Sequence, residues 1–541
     1  MLLRLGERAV EEAFFEMRDI RPWQRAPWVP LRMTVSRELA LPDDGGTVSV
    51  FDGVASLAVA EAQRAEADRF GWSELSIQHN RTVVDRDGYH AADTYRAFDA
   101  PHPLGVRLVI DQFLEEQRLH VWHLHPDLIV ALHLLREDDT WFRPEEGWAE
   151  VVRLVRNEDG KPERMDIRSE FLSDYLAASG TVLFLSSYHE RRTEPAELPD
   201  FNWPGGTETV ENGRDTRERR IEARGARKRV SGALWRTEWF EPAQFSPRIR
   251  HDPDPAPTTF ALDNQGGRAT PEELQGARDW LYFRPDLPLA LARHRGFELH
   301  WGSEQTGGLG ATGNGLHFGI NALGLINIFA KDIARLDPWE QRIWSAHNVA
   351  PEGGVSRELF GAQMEVRPAA TTAPETRVAA ALDTVDARLT AALCAALLRP
   401  HESTEALLRR VHRFRAADQD GLLLLARDLA KLFAERVDVG PIHRRLALPA
   451  GDGPGSLKSL ERLAATQIDG STAARLMAPL FGVQDLRGAA AHLGDQSVAG
   501  ALAKVGVDPN APTPEQGRVL ISSFVDTLLA LSELFPPPPN G

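Results

Sequence analysis

"VRPAATTAPETR", residues 366–377, divides the chain into two kinds of sequence. It is a run of Pro, Ala and Thr without apolar periodicity, the composition of a linker. Beyond it, "VAAALDTVDARLTAALCAALL", "TEALLRRVHRF", "GLLLLARDLAKLFAERV", "SLKSLERLAAT", "TAARLMAPLF" and "GRVLISSFVDTLLALSELF" all repeat their apolar residues with the helical period of about 3.6. None alternates as a strand does. The last segment opens on "TPEQ", with Thr513 as N-cap, Pro514 at the first helical position and Gln516 at the third, a capping-box arrangement. It closes at "PPPPNG", which cannot continue a helix. Residues 376–541 are therefore expected to form one all-α helical bundle with short connections.

Upstream of the linker the pattern is mixed. "GVRLVIDQF" (105–113), "EVVRLVR" (150–156) and "TVLFLSSYH" (181–189) are short, rich in β-branched residues and bounded by turn formers, so they read as strands. "SLAVAEAQRAEADRFG" (56–71) and "DIRSEFLSDYLAASG" (166–180) read as helices. The second puts Ile167, Phe171, Leu172, Tyr175 and Leu176 on one face and ends at Gly180. Residues 204–230 are densely charged and lack periodicity, which predicts a charged linker or excursion. The expected organisation is a mixed α/β (α+β) domain over 1–203, that excursion, a second mixed domain over 231–366, and the bundle. A weak echo, "HLHPDLIVAL" (123–132) against "YFRPDLPLAL" (282–291), raises the question of a duplicated unit.

Composition limits the function. With 78 acidic against 62 basic residues, the net charge is −16. That argues against broad non-specific binding to DNA or anionic membrane, while leaving room for a local basic groove. The lone cysteine, Cys394, excludes an intrachain disulfide and a thiolate zinc site, and its apolar surroundings predict a buried structural thiol. The N-terminus has charges every few residues and no apolar core of a signal peptide. No stretch approaches the roughly 18 apolar residues of a membrane span. A soluble, cytoplasmic protein without membrane contact is expected.

Several motifs invite chemistry. "HVWHLH" supplies His120, His123 and His125, but on a strand His123 and His125 share one face and His120 faces away, so no metal is expected there. "GGLGATGNGLHFG" (307–319) matches neither phosphate-loop pattern and precedes a strand-like segment, so a hairpin or loop is expected. In "DPWEQRIWSAHNVAPEGGVS" (337–356), Trp339 and Trp344 read as core. No G-x-S-x-G occurs. No cofactor and no metal are expected.

"DLRGAAAHLG" (485–494) carries Arg487 and His492 with four residues between them, late in the all-α region and flanked by alanines. Similar spacings recur at Arg118–His123, Arg295–His300 and Arg342–His347, so it is the helical context that distinguishes this pair. The stretch resembles the R-x4–6-H signature of the HEPN superfamily, which includes metal-independent endoribonucleases of bacterial toxin and anti-phage defence systems; the resemblance covers about residues 400–536. It implies that His492 acts as general base or acid and that Arg487 holds the scissile phosphate. It further implies an RNA substrate, a homodimer formed through the bundle, and a protein partner or phage trigger. Active family members often carry a polar residue after the arginine, where this chain has Gly488. "LLRRVHRFR" (407–415) adds a basic stripe, with Arg409, His412 and Arg413 expected on one helix face as a nucleic-acid-binding surface. The alternative is a non-catalytic sensor or scaffold whose bundle serves dimerisation or partner binding. A third reading places an active site within residues 1–366, invisible to motif reading.

Overall fold

The structure is a computed structural model. It describes residues 13–40, 47–77, 84–85, 88–89, 91–95, 102–114, 116–193, 206–224, 227–253, 256–313, 315–448, 453–489 and 495–536. The chain divides into two compact units, Met1–Ala256 and Pro257–Gly541. As expected, mixed α/β structure is followed by an all-helical region.

The first unit is built on one large antiparallel sheet. Its strands run in the order 206–212, 215–224, 227–240, 181–193, 47–60, 28–40, 162–168, 149–156, 140–143 and 135–137. The three central strands are long because their sequences alternate apolar and small or polar residues without a breaker, as in "TVSVFDGVASLAVA". Residues 181–193 pair with 60–48 without a slip, which places His189 opposite Asp52. Asp52 in turn lies opposite Val35. The first strand slips by one residue between Pro30 and Arg32 in its pairing with 162–168, so Met33 meets Arg164 while Pro30 meets Asp166. A bulge of this kind moves side chains from one face to the other. It puts Met33, Val35 and Arg164 on the face that carries Asp52 and His189. The helix Ser169–Ser179 buries Phe171, Leu172 and Leu176 and ends at Gly180 in the left-handed conformation (φ 67°), as its sequence predicts, but it starts later than expected: residues 166–168 belong to the strand 162–168, where Ile167 pairs with Val29.

Two expectations for this unit are corrected. Residues 204–230 are not a linker: 206–212, 215–224 and 227–240 form the edge of the sheet. Their charges pair across strands, with Arg219 on Glu208 at 2.6 Å and Arg236 on Asp215 at 2.6 Å. A ladder held by complementary charges at a sheet edge needs no apolar period, which is why periodicity missed it. Residues 56–60, expected at the start of a helix, instead complete the central strand 47–60 and pair with 185–181; only short helical turns follow, at 61–63 and 64–67.

The second unit begins with a six-stranded antiparallel sheet in the order 298–301, 306–310, 316–320, 326–329, 280–283 and 348–349. The glycine-rich stretch is the expected hairpin, 306–310 with 316–320. Gly307 is required there by close approach: a Cβ would stand 2.1 Å from the backbone carbonyl oxygen of His300. Trp344 and Trp339 are core, also as expected. The echo is local only. Both copies lead from a strand into a short helix, but among the described residues 119–124 pairs with 109–114 in a two-stranded sheet, whereas 280–283 lies inside the six-stranded sheet.

From Val378 onward the described elements are helical, the longest being 378–393, 419–432, 470–489 and 513–533. They share one core that includes Leu425, Leu429, Met477, Leu480, Phe524 and Leu528. The capping box at 513–516 is not formed. Pro512 is the N-cap, Thr513 Oγ1 donates to the Ala417 carbonyl at 3.2 Å, and Gln516 Nε2 donates to the Ala511 carbonyl at 2.8 Å. Cys394 is exposed rather than buried, because the helix ends on it in the left-handed conformation (φ 52°).

Candidate functional site

The sequence-based candidates are dispersed. In "HVWHLH", His120 contacts Asp111, His123 Nε2 lies 2.8 Å from Gln112 Oε1, and His125 Nε2 lies 2.9 Å from Asp93 Oδ2. The three rings turn to different partners, but not for the reason expected: the strand ends at Leu124, so His125 does not share a strand face with His123 and instead caps the helix 126–131. Among the described residues no group of three His, Cys, Asp or Glu side chains is placed to hold a metal ion.

The stripe expected over Arg409, His412 and Arg413 does not share a helix face, because the helix 404–410 ends before His412. Arg409 is exposed beside Glu405. Arg413 is buried, makes a two-pronged pair with Glu375 (2.7 and 2.9 Å) and lies 4.1 Å from the Trp301 ring centre. His412 is buried with no partner on Nδ1 among the described residues, and burial pushes its pKa down to about 4. Arg487 sits in the last turn of the helix 470–489, 3.0 Å from Glu435 with a side chain 38% exposed. His492 lies outside the described residues.

A different constellation comes together on the first unit's sheet. The strand 181–193 places His189 and Arg191 on one face by the period of two, and its neighbour brings Asp52 opposite. Asp52 Oδ1 accepts from His189 Nδ1 at 2.7 Å and from Arg191 Nη1 at 2.8 Å. Burial pushes the Asp52 carboxyl up. The hydrogen bond from His189 and the charge of Arg191 outweigh it and hold the group below the usual carboxylate range. An ionised Asp52 keeps the proton of a neutral imidazole on Nδ1 and leaves Nε2 as the acceptor. His189 is 2% exposed, and its Nε2 has no partner among the described residues.

His189 lines a cavity of about 580 Å³, within the usual range for small-molecule sites. Arg21, Arg37, Arg153, Arg164 and Arg191 line it too, against the carboxylates Asp19, Asp52, Glu163 and Asp166. Asp166 is fully buried and accepts from Nε of both Arg153 and Arg164. Each of these two guanidiniums is held through one nitrogen, while its Nη groups have no hydrogen-bond partner among the described residues. The same holds for Nε and Nη2 of Arg191. Arg21 and Arg37 form no ion pair among the described residues. The remaining wall is apolar: Ile20, Met33, Val35 and Val155.

The strap "RPWQRAPW" (21–28) closes one side and is fastened to the sheet. Trp23 N donates to Glu238 Oε1 at 3.1 Å, and Arg236 Nη1 donates to the Ile20 carbonyl at 3.0 Å. Sequence reading missed every residue of this site. Two signals were present: the single charged residue, Asp52, inside the strand "TVSVFDGVASLAVA", and the alternation His189, Arg191, Thr193 on a central strand. Both acquire meaning only when the strands are paired. No family model, curated protein or solved structure matches the chain.

Proposed function

We propose that residues 1–256 bind a phosphate-bearing ligand in the sheet cavity and that His189 exchanges a proton with it. One observation carries this reading: the His189 imidazole is fixed through Nδ1 by Asp52, its buried Nε2 has no partner among the described residues, and the residue borders a cavity lined by five arginines. A buried polar atom without a partner is unfavourable by about 1–3 kcal/mol, and a ligand hydrogen bond would relieve it. Guanidiniums anchored at one edge present their remaining N–H groups in the planar fork that suits phosphate. An imidazole held through one nitrogen has the other available for proton transfer.

The test is calorimetry of 5′-UMP and inorganic phosphate binding in buffers of different ionisation enthalpy. Wild-type protein is expected to bind UMP with linked proton uptake or release. Arg191→Ala should abolish binding, and His189→Gln should bind without the proton linkage. Absence of UMP binding by the wild type, or proton linkage unchanged in His189→Gln, overturns the reading.

A second reading rests on Arg487, whose side chain is 38% exposed and whose neighbour Gly488 has, among the described residues, no atom within 4 Å of a built Cβ. In it the chain is a HEPN-like, metal-independent endoribonuclease of bacterial defence, with His492 as the proton-transferring group. Total RNA incubated with the protein in EDTA distinguishes the two. Cleavage lost in Arg487→Ala and His492→Ala but kept in His189→Gln supports the HEPN-like site; the reverse pattern places the chemistry in the sheet cavity.

A further inference from the structure

The strap 21–27 borders a second cavity as well. This one has a volume of about 720 Å³ and is lined by Arg21, Pro22, Gln24, Arg25, Ala26, Pro27 and Arg214. Its three arginines form no ion pair among the described residues, and no carboxylate lines it. In a chain of net charge −16, a concave site lined by three arginines and, among the described residues, by no carboxylate is locally basic, although Arg214 also feels the charges of Asp215 and Glu238. Arg21, Pro22 and Ala26 line both cavities, so the basic surface continues from one to the other across the strap.

We infer that the phosphate-bearing ligand is a single-stranded nucleic acid that crosses the strap with phosphates in both cavities. This rests on the phosphate reading of the first cavity. A mononucleotide would occupy only the cavity at His189 and leave Arg25 and Arg214 without a role. A chain of phosphates needs cations repeated along its path, with flat or apolar surface between them for sugars and bases. The strap supplies this in its own sequence, where Arg21 and Arg25 flank Trp23, and Trp23 also lines the first cavity. Both sites are concave, and a duplex presents its phosphates on a broad convex surface that two such cavities do not admit. The acidic remainder of the chain repels a long rod of negative charge and confines contact to the strap.

The test uses the full chain and fluorescence anisotropy with a labelled oligouridylate about ten nucleotides long, beside 5′-UMP as competitor and a duplex of the same length. Wild-type protein is expected to bind the single strand at least tenfold more tightly than UMP, on the order of one added phosphate contact or more, and more tightly than the duplex. Arg25→Ala with Arg214→Ala, both exposed side chains, should weaken the oligonucleotide about tenfold, on the scale of two exposed ion contacts. The slope of log K against log salt should flatten by about 1.4, two contacts at about 0.7 each. UMP binding should not change. Oligonucleotide affinity unaltered in the double variant, or a duplex bound as tightly as the strand, overturns the inference while UMP binding leaves the first cavity's reading standing. A wild type that binds neither UMP nor oligonucleotide overturns both.

Discussion

Replacing Asp52 by alanine tests the physical core of the sheet site. The Asp52 and Arg191 side chains are 13% and 10% exposed, and the Asp52 carboxylate holds both Arg191 and His189. Removing it leaves a guanidinium with few acceptors and a second orphaned imidazole nitrogen in a buried place. Breaking a buried ion pair from one side destabilises by about 3–5 kcal/mol. Hydrogen exchange of peptides spanning 47–60 and 181–193 reads the opening free energy of the two strands directly. A loss of that size is expected in Asp52→Ala at neutral pH. Asp52→Ala with Arg191→Met removes the stranded charge as well and should recover at least about 1 kcal/mol. The pH dependence has a definite sign. Asp52 is held below its ordinary value in the folded state, so its contribution is complete above the unfolded pKa of about 3.9 and is lost as pH falls through the folded value. The gap between wild type and Asp52→Ala should therefore narrow as pH falls below about 4. A gap under about 1 kcal/mol, or one that narrows as pH rises, would refute the assignment of Asp52 as the anchor.

Two further outcomes follow from the second unit. Gly307→Ala drives a Cβ against the His300 carbonyl oxygen of the neighbouring strand and should destabilise by about 1–3 kcal/mol in thermal or urea unfolding, whereas Gly308→Ala meets only the exposed His300 ring, which turns aside, and should lose less; an equal loss in the two would mean that the backbone is not the obstacle. His412, buried and pushed down to about 4, stays neutral in the fold while the unfolded chain takes up a proton near 6.5. The second unit should accordingly lose stability as pH falls from about 6.5 towards 4, and His412→Leu should flatten that slope in melting curves taken at pH 7.5 and 5. An equal slope in both proteins would show that His412 titrates normally.

The bundle was legible because helices bury a stripe. The period of "GLLLLARDLAKLFAERV" is visible without knowing what lies against it, and the same residues form the observed core. The strand at 181–189 and the helix ending at Gly180 were legible for the same local reason. The 206–240 edge was not, since its stability lies in pairing between charged strands, and the helix expected from residue 56 failed because five of its residues had partners at 181–185. Arg413 and His412 look like a basic stripe as letters; the end of a helix at Arg410 turns both into buried groups with different neighbours.

By itself, the sequence determined the change from mixed α/β to helical structure, the helices after residue 377, the turn at Gly180 and the hairpin at 306–320, but not the boundary between the two compact units at 256–257. These depend on interactions within a few residues of each other. Tertiary structure alone decided the site. Asp52 and His189 are 137 residues apart in the chain, and Asp166 reaches Met33's neighbours only because the first strand slips at Leu31. Strand register and a single bulge set which side chains share a face, and neither is written in the local pattern that a sequence displays.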